Sequence, residues 1–399
     1  MDHQYCEVKL SVQPCRALVD EKFKVLVQKA PPGAQLTVRS HHHSENKHEW
    51  EAFGHYICDS TGDLSLGGTY EGVEPMGLLW SLRPVPGSKP GLRLRKMNVE
   101  TPMEVTVSVY QGHLSEDFSE QRALAAVVVE RWYMAPGVRR IPVTEHGLTA
   151  TLFLPPGPGR FPAVLDHWGG GGNLMEYRAS LLASRGFAAL VLDYLTNELT
   201  KTTGKMMEND YFEGICSGCL LVASLGRCAV CYSGSHIQPV DGSVKDIKEY
   251  MGKENIRVTE NQEVIFRDLT LPVPKDPAFK VDVNGTSAVP LQVVVGLDDQ
   301  SWPAYESAMD VNEGDDGGGG NSHLLTLLTY PHTGHLIEPP YSPHVRTSIL
   351  RSFPIKVLWG GETAAHSRAQ EDAWRKTLLF LREHLYDMRN SAVTSKSNL

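Results

Sequence analysis

Five residues, Gly214-Ile215-Cys216-Ser217-Gly218, carry the first chemistry in this chain. They have the form G-x-nucleophile-x-G, a sharp strand-to-helix turn that presents a nucleophile at its tip. The glycines suit a turn too tight for a Cβ beside the nucleophile. Cysteine at the centre is intrinsically very nucleophilic and forms a thioester with an acyl group. Two later stretches supply what such a thiol needs. Gly296-Leu297-Asp298-Asp299-Gln300 offers a carboxylate, and Pro331-His332-Thr333-Gly334-His335 offers an imidazole. A histidine that takes the thiol proton and returns it to the leaving group, held in one tautomer by an aspartate, completes a catalytic triad. A fourth stretch, Asp166-His167-Trp168-Gly169-Gly170-Gly171-Gly172, is a glycine run that can turn backbone N–H groups toward a developing oxyanion.

The elements that must position these residues follow from hydrophobic patterning. Pro162–Leu165 reads as a buried strand running into the glycine stretch, Glu176–Ser184 as a helix stopped at Gly186, and Ala188–Leu192 as a central strand. Strand, helix, strand in this order implies a parallel sheet. Leu291–Val295 and Leu324–Tyr330 are strands too, so the acid and the base each fall in a loop at a strand's carboxyl end. Nucleophile, acid, base is the chain order of an α/β hydrolase. One piece is missing from that pattern. From Asp193 to Gly214 the sequence is polar and has no β-branched apolar run, whereas a helix and a strand leading into the elbow need roughly 20 residues. After the elbow, Leu220–Leu225 reads as a short helix and Ala229–Tyr232 as the next strand. The chain closes with a helix from about Arg368 to Met388, its apolar face formed by Trp374, Leu378, Leu381 and Leu385.

Residues 1–135 read differently. Short runs such as Lys9–Val12, Phe23–Val27, Gln35–Val38, Leu79–Leu82, Met103–Tyr110 and Ala123–Trp132, separated by turn-rich pieces, predict a β-sandwich. The pattern changes near Pro136-Gly137, which places a domain boundary there and an α/β domain over 136–399. His41-His42-His43, with His48 and His55 nearby, read as a solvated hairpin loop rather than a metal site, because no ligand spacing is combined with Cys or an acid. Cys216, Cys219, Cys228 and Cys231 form C-x2-C-x8-C-x2-C, but the interval is short for a zinc ribbon and its apolar Leu220–Ala223 suits a buried helix. Asp310–Asn321 reads as an acidic, glycine-rich surface loop.

Composition narrows the classes further. The 399 residues are 41% hydrophobic and 21% charged, an ordinary globular balance with chain enough for more than one domain. A net charge of -9 argues against a nucleic-acid or membrane-surface binder. The longest apolar runs fall far short of the roughly 20 residues that span a bilayer. Met1–Tyr5 has neither the apolar core of a signal peptide nor the character of a transit peptide, and seven scattered cysteines suit a reducing compartment. The expectation is a cytoplasmic protein, with the peroxisome as alternative because the chain ends Ser397-Asn398-Leu399, one substitution from Ser-Lys-Leu.

Longer segments resemble a known family, the type I acyl-CoA thioesterases together with the bile acid-CoA:amino acid N-acyltransferases. They are Trp168–Gly172 with Glu176–Ala183, Gly296–Trp302, Thr333–Tyr341, Trp359–Glu362 and Ala369–Trp374. The family joins an N-terminal β-sandwich to an α/β-hydrolase domain. By position, the resemblance implies Cys216 as nucleophile, Asp299 as acid (Asp298 if the register slips by one) and His335 as base. By hydrolase analogy the oxyanion is held by the Ser217 N–H and an N–H of the Trp168-Gly169-Gly170-Gly171 loop. The implied substrate is a fatty acyl-CoA, hydrolysed through acyl-Cys216 without metal or cofactor. Cysteine at that place is more typical of the amino-acid-conjugating members, which implies glycine or taurine as acceptor in the alternative reading. The shortened stretch before Gly214 implies a third, a catalytically impaired chain that still binds acyl-CoA.

Overall fold

In a computed structural model, the described residues are 8–58, 65–144, 149–168, 174–193, 227–237, 256–276, 280, 289–314, 322–350 and 355–386. The contacts divide the chain into two compact units. One comprises Met1–Pro136 with Glu338–His344, the other Gly137–Ile337 with Val345–Leu399.

The first unit is built on strands β1 (Lys9–Gln13), β2 (Arg16–Leu18), β3 (Lys24–Gln28), β4 (Gln35–His43), β5 (Glu49–Ile57), β6 (Ser65–Gly68), β7 (Arg83–Pro84), β8 (Met103–Gln111) and β9 (Ala125–Trp132). Its main sheet runs β2-β9-β8-β4-β5-β6, with β7 also pairing β5, while β1 and β3 form a separate antiparallel pair. Alternation explains the layering: Met103, Val105, Val107 and Val109 of β8 all point into one core. There they meet Val12 of β1 and Phe23 beside β3, so the two sheets face each other over shared apolar side chains. Helix α1 (Gly77–Trp80) adds Leu78, Leu79 and Trp80 to the same core. The sequence predicts a strand over Leu79–Leu82, and the structure replaces it with this short helix. Four residues are too few for periodicity to tell helix from strand. Tyr341 is in this core as well, and the His344 N–H reaches the Trp80 carbonyl at 3.3 Å, which is why Glu338–His344 belongs to this unit.

The histidine cluster is a strand rather than a loop. His41–His43 end β4, and the turn comes after them at Ser44–Lys47. His42 faces one side and meets the Glu104 carbonyl at 2.7 Å. His41 and His43 face the other, where Glu49 of β5 receives both: His41 Nε2 lies 2.6 Å from Oε2, and His43 Nδ1 meets Oε1. Each ring nitrogen has its own carboxylate oxygen, so the groups do not converge on a point. Among the described residues no group of three such side chains is placed to hold a metal ion.

Among the described residues the second unit shows three sheets. The first joins β10 (Arg139–Val143), β11 (Ala150–Leu154), β12 (Ala163–Asp166) and β13 (Ala188–Leu192) in the order β10-β11-β13-β12, with β12 and β13 parallel. Helix α2 (Tyr177–Ser184) makes the crossover between them. The second joins β14 (Ala229–Tyr232), β17 (Leu291–Gly296) and β18 (Leu325–Tyr330), all parallel. The third is small: β15 (Arg257–Val258), β16 (Val264–Ile265), β19 (Thr347–Ile349) and β20 (Lys356–Leu358) in the order β15-β16-β20-β19. Helix α3 (Ala304–Gly314) follows β17, and helix α4 (Thr363–Tyr386) follows β20. The expected surface loop at Asp310–Asn321 is therefore helical through Gly314. The chain is mixed α/β, and among its described residues no helix is long and apolar enough to cross a membrane.

Strand β17 is covered on both faces, which accounts for its apolar Val293–Val295. Val293 and Val295 pack against Ala304 and Ala308 of α3, and Val294 against Ala373 of α4. Ala373 is fully buried whereas Leu379, on the same helix, is 51% exposed. An Ala373→Leu substitution overfills this seam and is expected to cost about 1–3 kcal/mol. Leu379→Ala stays within about 0.5 kcal/mol. Urea midpoints of the two variants check the difference.

Candidate functional site

Strands β17 and β18 run in register and finish opposite each other, Gly296 against Tyr330. The loops that leave these two ends meet. Asp299 is 2% exposed, and its Oδ2 lies 2.8 Å from His335 Nδ1. Its other oxygen, Oδ1, accepts the backbone N–H groups of Ser301 at 2.8 Å and Trp302 at 3.0 Å. A buried carboxylate is costly unless its oxygens are satisfied, and here all the donors converge on it. A carboxylate at Nδ1 places the ring proton there, which leaves Nε2 as the basic nitrogen of neutral His335.

The imidazole is fixed from several directions. Its ring stacks on Trp359, centroids 5.6 Å apart and planes at 17°. The His335 N–H donates to the Trp359 carbonyl at 2.9 Å, and the Ser233 hydroxyl donates to the His335 carbonyl at 2.7 Å. Trp359 is itself held by its indole N–H, which donates to Ser348 at 2.8 Å. His366 of α4 reaches the same loop. Its Nδ1 accepts the Gly334 N–H at 3.1 Å, and its Nε2 meets the Leu336 carbonyl at 2.7 Å.

Asp298 does something else. One of its oxygens accepts the Gln300 amide at 2.8 Å, and the other accepts the Gly361 N–H at 2.7 Å. Arg346 closes the same turn by donating to the Gly361 carbonyl at 2.7 Å. The structure thus brings Asp299, not Asp298, onto His335.

The loops approach so closely that side chains are excluded. A Cβ on Gly334 would sit 2.4 Å from the Gly360 backbone, and one on Gly360 would sit 1.9 Å from the Asp298 carbonyl. Gly360 also has φ +82°, a conformation that side chains disfavour.

Of the remaining residues singled out in the sequence, Trp168 is described. It follows β12, meets Tyr177 edge-on with centroids 5.8 Å apart, and lies under the Arg178 guanidinium. Its ring packs against the cluster of Leu336, Val357 and Trp359, next to the His335 loop. Arg178 is held in turn by Asp166 at 2.7 Å and by the His167 carbonyl at 3.0 Å. Cys216, Ser217, Gly169 and Gly170 lie outside the described residues, as do Cys219 and the whole stretch from Tyr194 to Gly226.

The side chains of β14 are half-buried. Burial pushes the Cys228 thiol up to about 11 and raises that of Cys231 as well. Burial likewise takes the Tyr232 hydroxyl to about 12 against the opposing pull of its bond to Thr377 and of Arg178. Thiols so disposed are inert rather than nucleophilic. A second Ser–His–Asp row lies nearby: Ser307 Oγ is 2.6 Å from His236 Nδ1, and His236 Nε2 is 2.8 Å from Asp310. Ser307 is 3% exposed and already accepts the His236 N–H at 3.0 Å, so the row ties α3 to the segment after β14.

Sequence reasoning gave no role to Ser233, Arg346 or His366. Trp359 entered it only as part of a resemblance. No motif marks them, because each acts through backbone atoms of another segment. A Gly360→Ala substitution tests this convergence. It is expected to lower stability by about 1–3 kcal/mol through strain and overfilling. The far-UV spectrum should remain unchanged while the thermal midpoint falls.

Comparison with known proteins places the chain in a family. Residues 20–145 match the family described as "Acyl-CoA thioester hydrolase/BAAT N-terminal region". Residues 212–387 match "BAAT / Acyl-CoA thioester hydrolase C terminal". The chain is 34% identical over 423 positions to the peroxisomal succinyl-coenzyme A thioesterase of Mus musculus, covering 94% of this chain and 96% of that protein. It is 34% identical over 410 positions to acyl-coenzyme A thioesterase 1 of Homo sapiens, covering 93% and 95%. A third relative, the mitochondrial acyl-coenzyme A thioesterase 2 of Homo sapiens, is 34% identical over 410 positions, covering 93% and 83%.

Proposed function

This chain belongs to the acyl-CoA thioester hydrolase/BAAT family, and from that premise we propose that it hydrolyses fatty acyl-CoA thioesters to free fatty acid and CoA. The observation that carries the reading is the buried Asp299–His335 contact of 2.8 Å at the ends of two parallel strands. Cys216 is the nucleophile, His335 the general base and Asp299 the acid that orients it. His335 Nε2 takes the Cys216 thiol proton, and the thiolate attacks the thioester carbonyl. The tetrahedral oxyanion is held by the Ser217 N–H and an N–H from Trp168, Gly169 or Gly170. Collapse breaks the bond to CoA sulfur, and His335 returns the proton to the leaving thiolate. Acyl-Cys216 is then attacked by water, with His335 again as base, to give the acid and the free thiol.

The contact division at Pro136 and the two family matches support a β-sandwich domain over 1–135 and a hydrolase domain over 136–399. The 423 aligned positions of the murine relative exceed the 399 residues of this chain, so at least 24 of them have no counterpart here. That difference supports a shortened chain, and the polar stretch between Asp193 and Gly214 supports reading the shortening there. A second reading rests on Cys216 itself. A thioester intermediate is readily attacked by amines, so glycine or taurine replaces water as acceptor and an N-acyl amino acid replaces the free acid.

Intact-protein mass spectrometry with palmitoyl-CoA and with a bile-acid CoA tests these assignments. An acyl adduct is expected on the wild type and not on Cys216→Ala, together with release of CoA. Asp299→Asn is expected to slow CoA release about 10³–10⁴-fold, while Asp298→Asn changes it less than about tenfold. Faster CoA release on adding glycine or taurine selects the transferase. A folded protein that forms no adduct and releases no CoA leaves only acyl-CoA binding, and the enzyme reading fails.

A further inference from the structure

His366 is 1% exposed, lies on α4 and takes no part in the proposed reaction. Its ring nitrogens meet the two backbone groups that bracket the proposed base: the N–H of Gly334 at 3.1 Å and the carbonyl of Leu336 at 2.7 Å. A backbone N–H only donates and a carbonyl only accepts. His366 Nδ1 must therefore be unprotonated and Nε2 must carry the hydrogen. The ring is a neutral imidazole, used as a rigid spacer with one acceptor and one donor. His335's own N–H and carbonyl are held by the Trp359 carbonyl and the Ser233 hydroxyl. Both residues flanking His335 are thus tied to one ring, and the direction in which its Cβ leaves the backbone is fixed.

We propose that His366 is the positioning residue for His335, holding the 334–336 backbone so that the imidazole stays on Asp299. The proposal rests on His335 being the base of the proposed reaction, but its geometric content does not need that reaction to occur. A core histidine with a purely structural task would affect stability alone. A positioning histidine also affects the His335–Asp299 bond and the turnover number.

The test uses the full chain labelled with ¹⁵N-histidine, as wild type and as His366→Ala, His366→Asn and His366→Gln. The Asn amide can replace the acceptor near Nδ1, and the Gln amide the donor near Nε2. The His335 Nδ1–H resonance is assigned by its absence from His335→Gln. In His366→Ala that resonance is expected to broaden or vanish, and kcat with palmitoyl-CoA to fall about 10–100-fold. KM should stay within about twofold, since no binding group is removed. Asn and Gln each recover part of the loss.

An Ala variant that loses thermal stability but keeps the resonance and kcat overturns the proposal. If the Ala variant does not fold, unchanged resonance and kcat in both Asn and Gln overturn it equally. A wild type that releases no CoA refutes the proposed function, and the resonance of the variants then decides the positioning role by itself.

Discussion

A carboxylate buried to 2% exposure survives only if its surroundings are arranged around it, and Asp299 sets that requirement for its whole half of the molecule. Two N–H donors come from its own loop, at Ser301 and Trp302, and the third partner is the His335 imidazole from the next strand. The imidazole reaches Asp299 because β17 and β18 are parallel and in register, so their loops start side by side. It stays there because a third segment, Trp359–Gly361 after β20, supplies a ring to stack on, a carbonyl to accept and a glycine to make room. Parallel register, crossing loops and one buried charge are thus a single constraint.

The two neighbouring aspartates show how finely that constraint is divided. Asp298 is about a third exposed and holds the Gly361 turn together with Arg346, while Asp299 is buried on His335. Exchanging their roles by a one-residue slip would leave the turn without its acceptor and put an unsatisfied carboxylate in the core. Their difference lies in which backbone N–H groups the loop turns inward, a matter of a few dihedral angles.

That is also why the sequence could locate the loops but not choose within them without the family resemblance. Strands with strong patterning were legible: Met103–Gln111 by alternation, Leu291–Gly296 by its β-branched Val293–Val295. β5 was not, because Glu51 sits in its middle, and only the structure shows Arg39 donating to that carboxylate at 3.0 Å. The histidines of β4 misled for a related reason. Polar residues read as a loop until a partner across the strand, here Glu49, makes them tolerable. α3 extends into an acidic, glycine-rich stretch, where composition argues for a loop but contact with β17 through Ala304 and Ala308 anchors the helix. At the site, the acid and base stood out because strand ends are where such groups gather. His366, Ser233 and Arg346 did not, since each meets a backbone atom, and a backbone atom has no letter in the sequence.

In the reaction proposed above, the Asp299–His335 pair is indifferent to which nucleophile resolves the acyl-cysteine. Water and an amine both need a proton removed as they attack, and the same Nε2 can take it. An enzyme in this family therefore cannot change from hydrolase to transferase by altering its base. It must change what stands over the thioester: a site that binds glycine or taurine raises the effective concentration of amine, and one that does not leaves the reaction to solvent. Cysteine makes the amine route faster without closing the water route. On the proposed mechanism, whatever separates the two outcomes consequently lies on the acceptor side of the thioester, in groups that hold a carboxylate or sulfonate. The buried charge, the stacked tryptophan and the crossing glycines serve both chemistries equally, so they constrain the fold more tightly than they constrain the product.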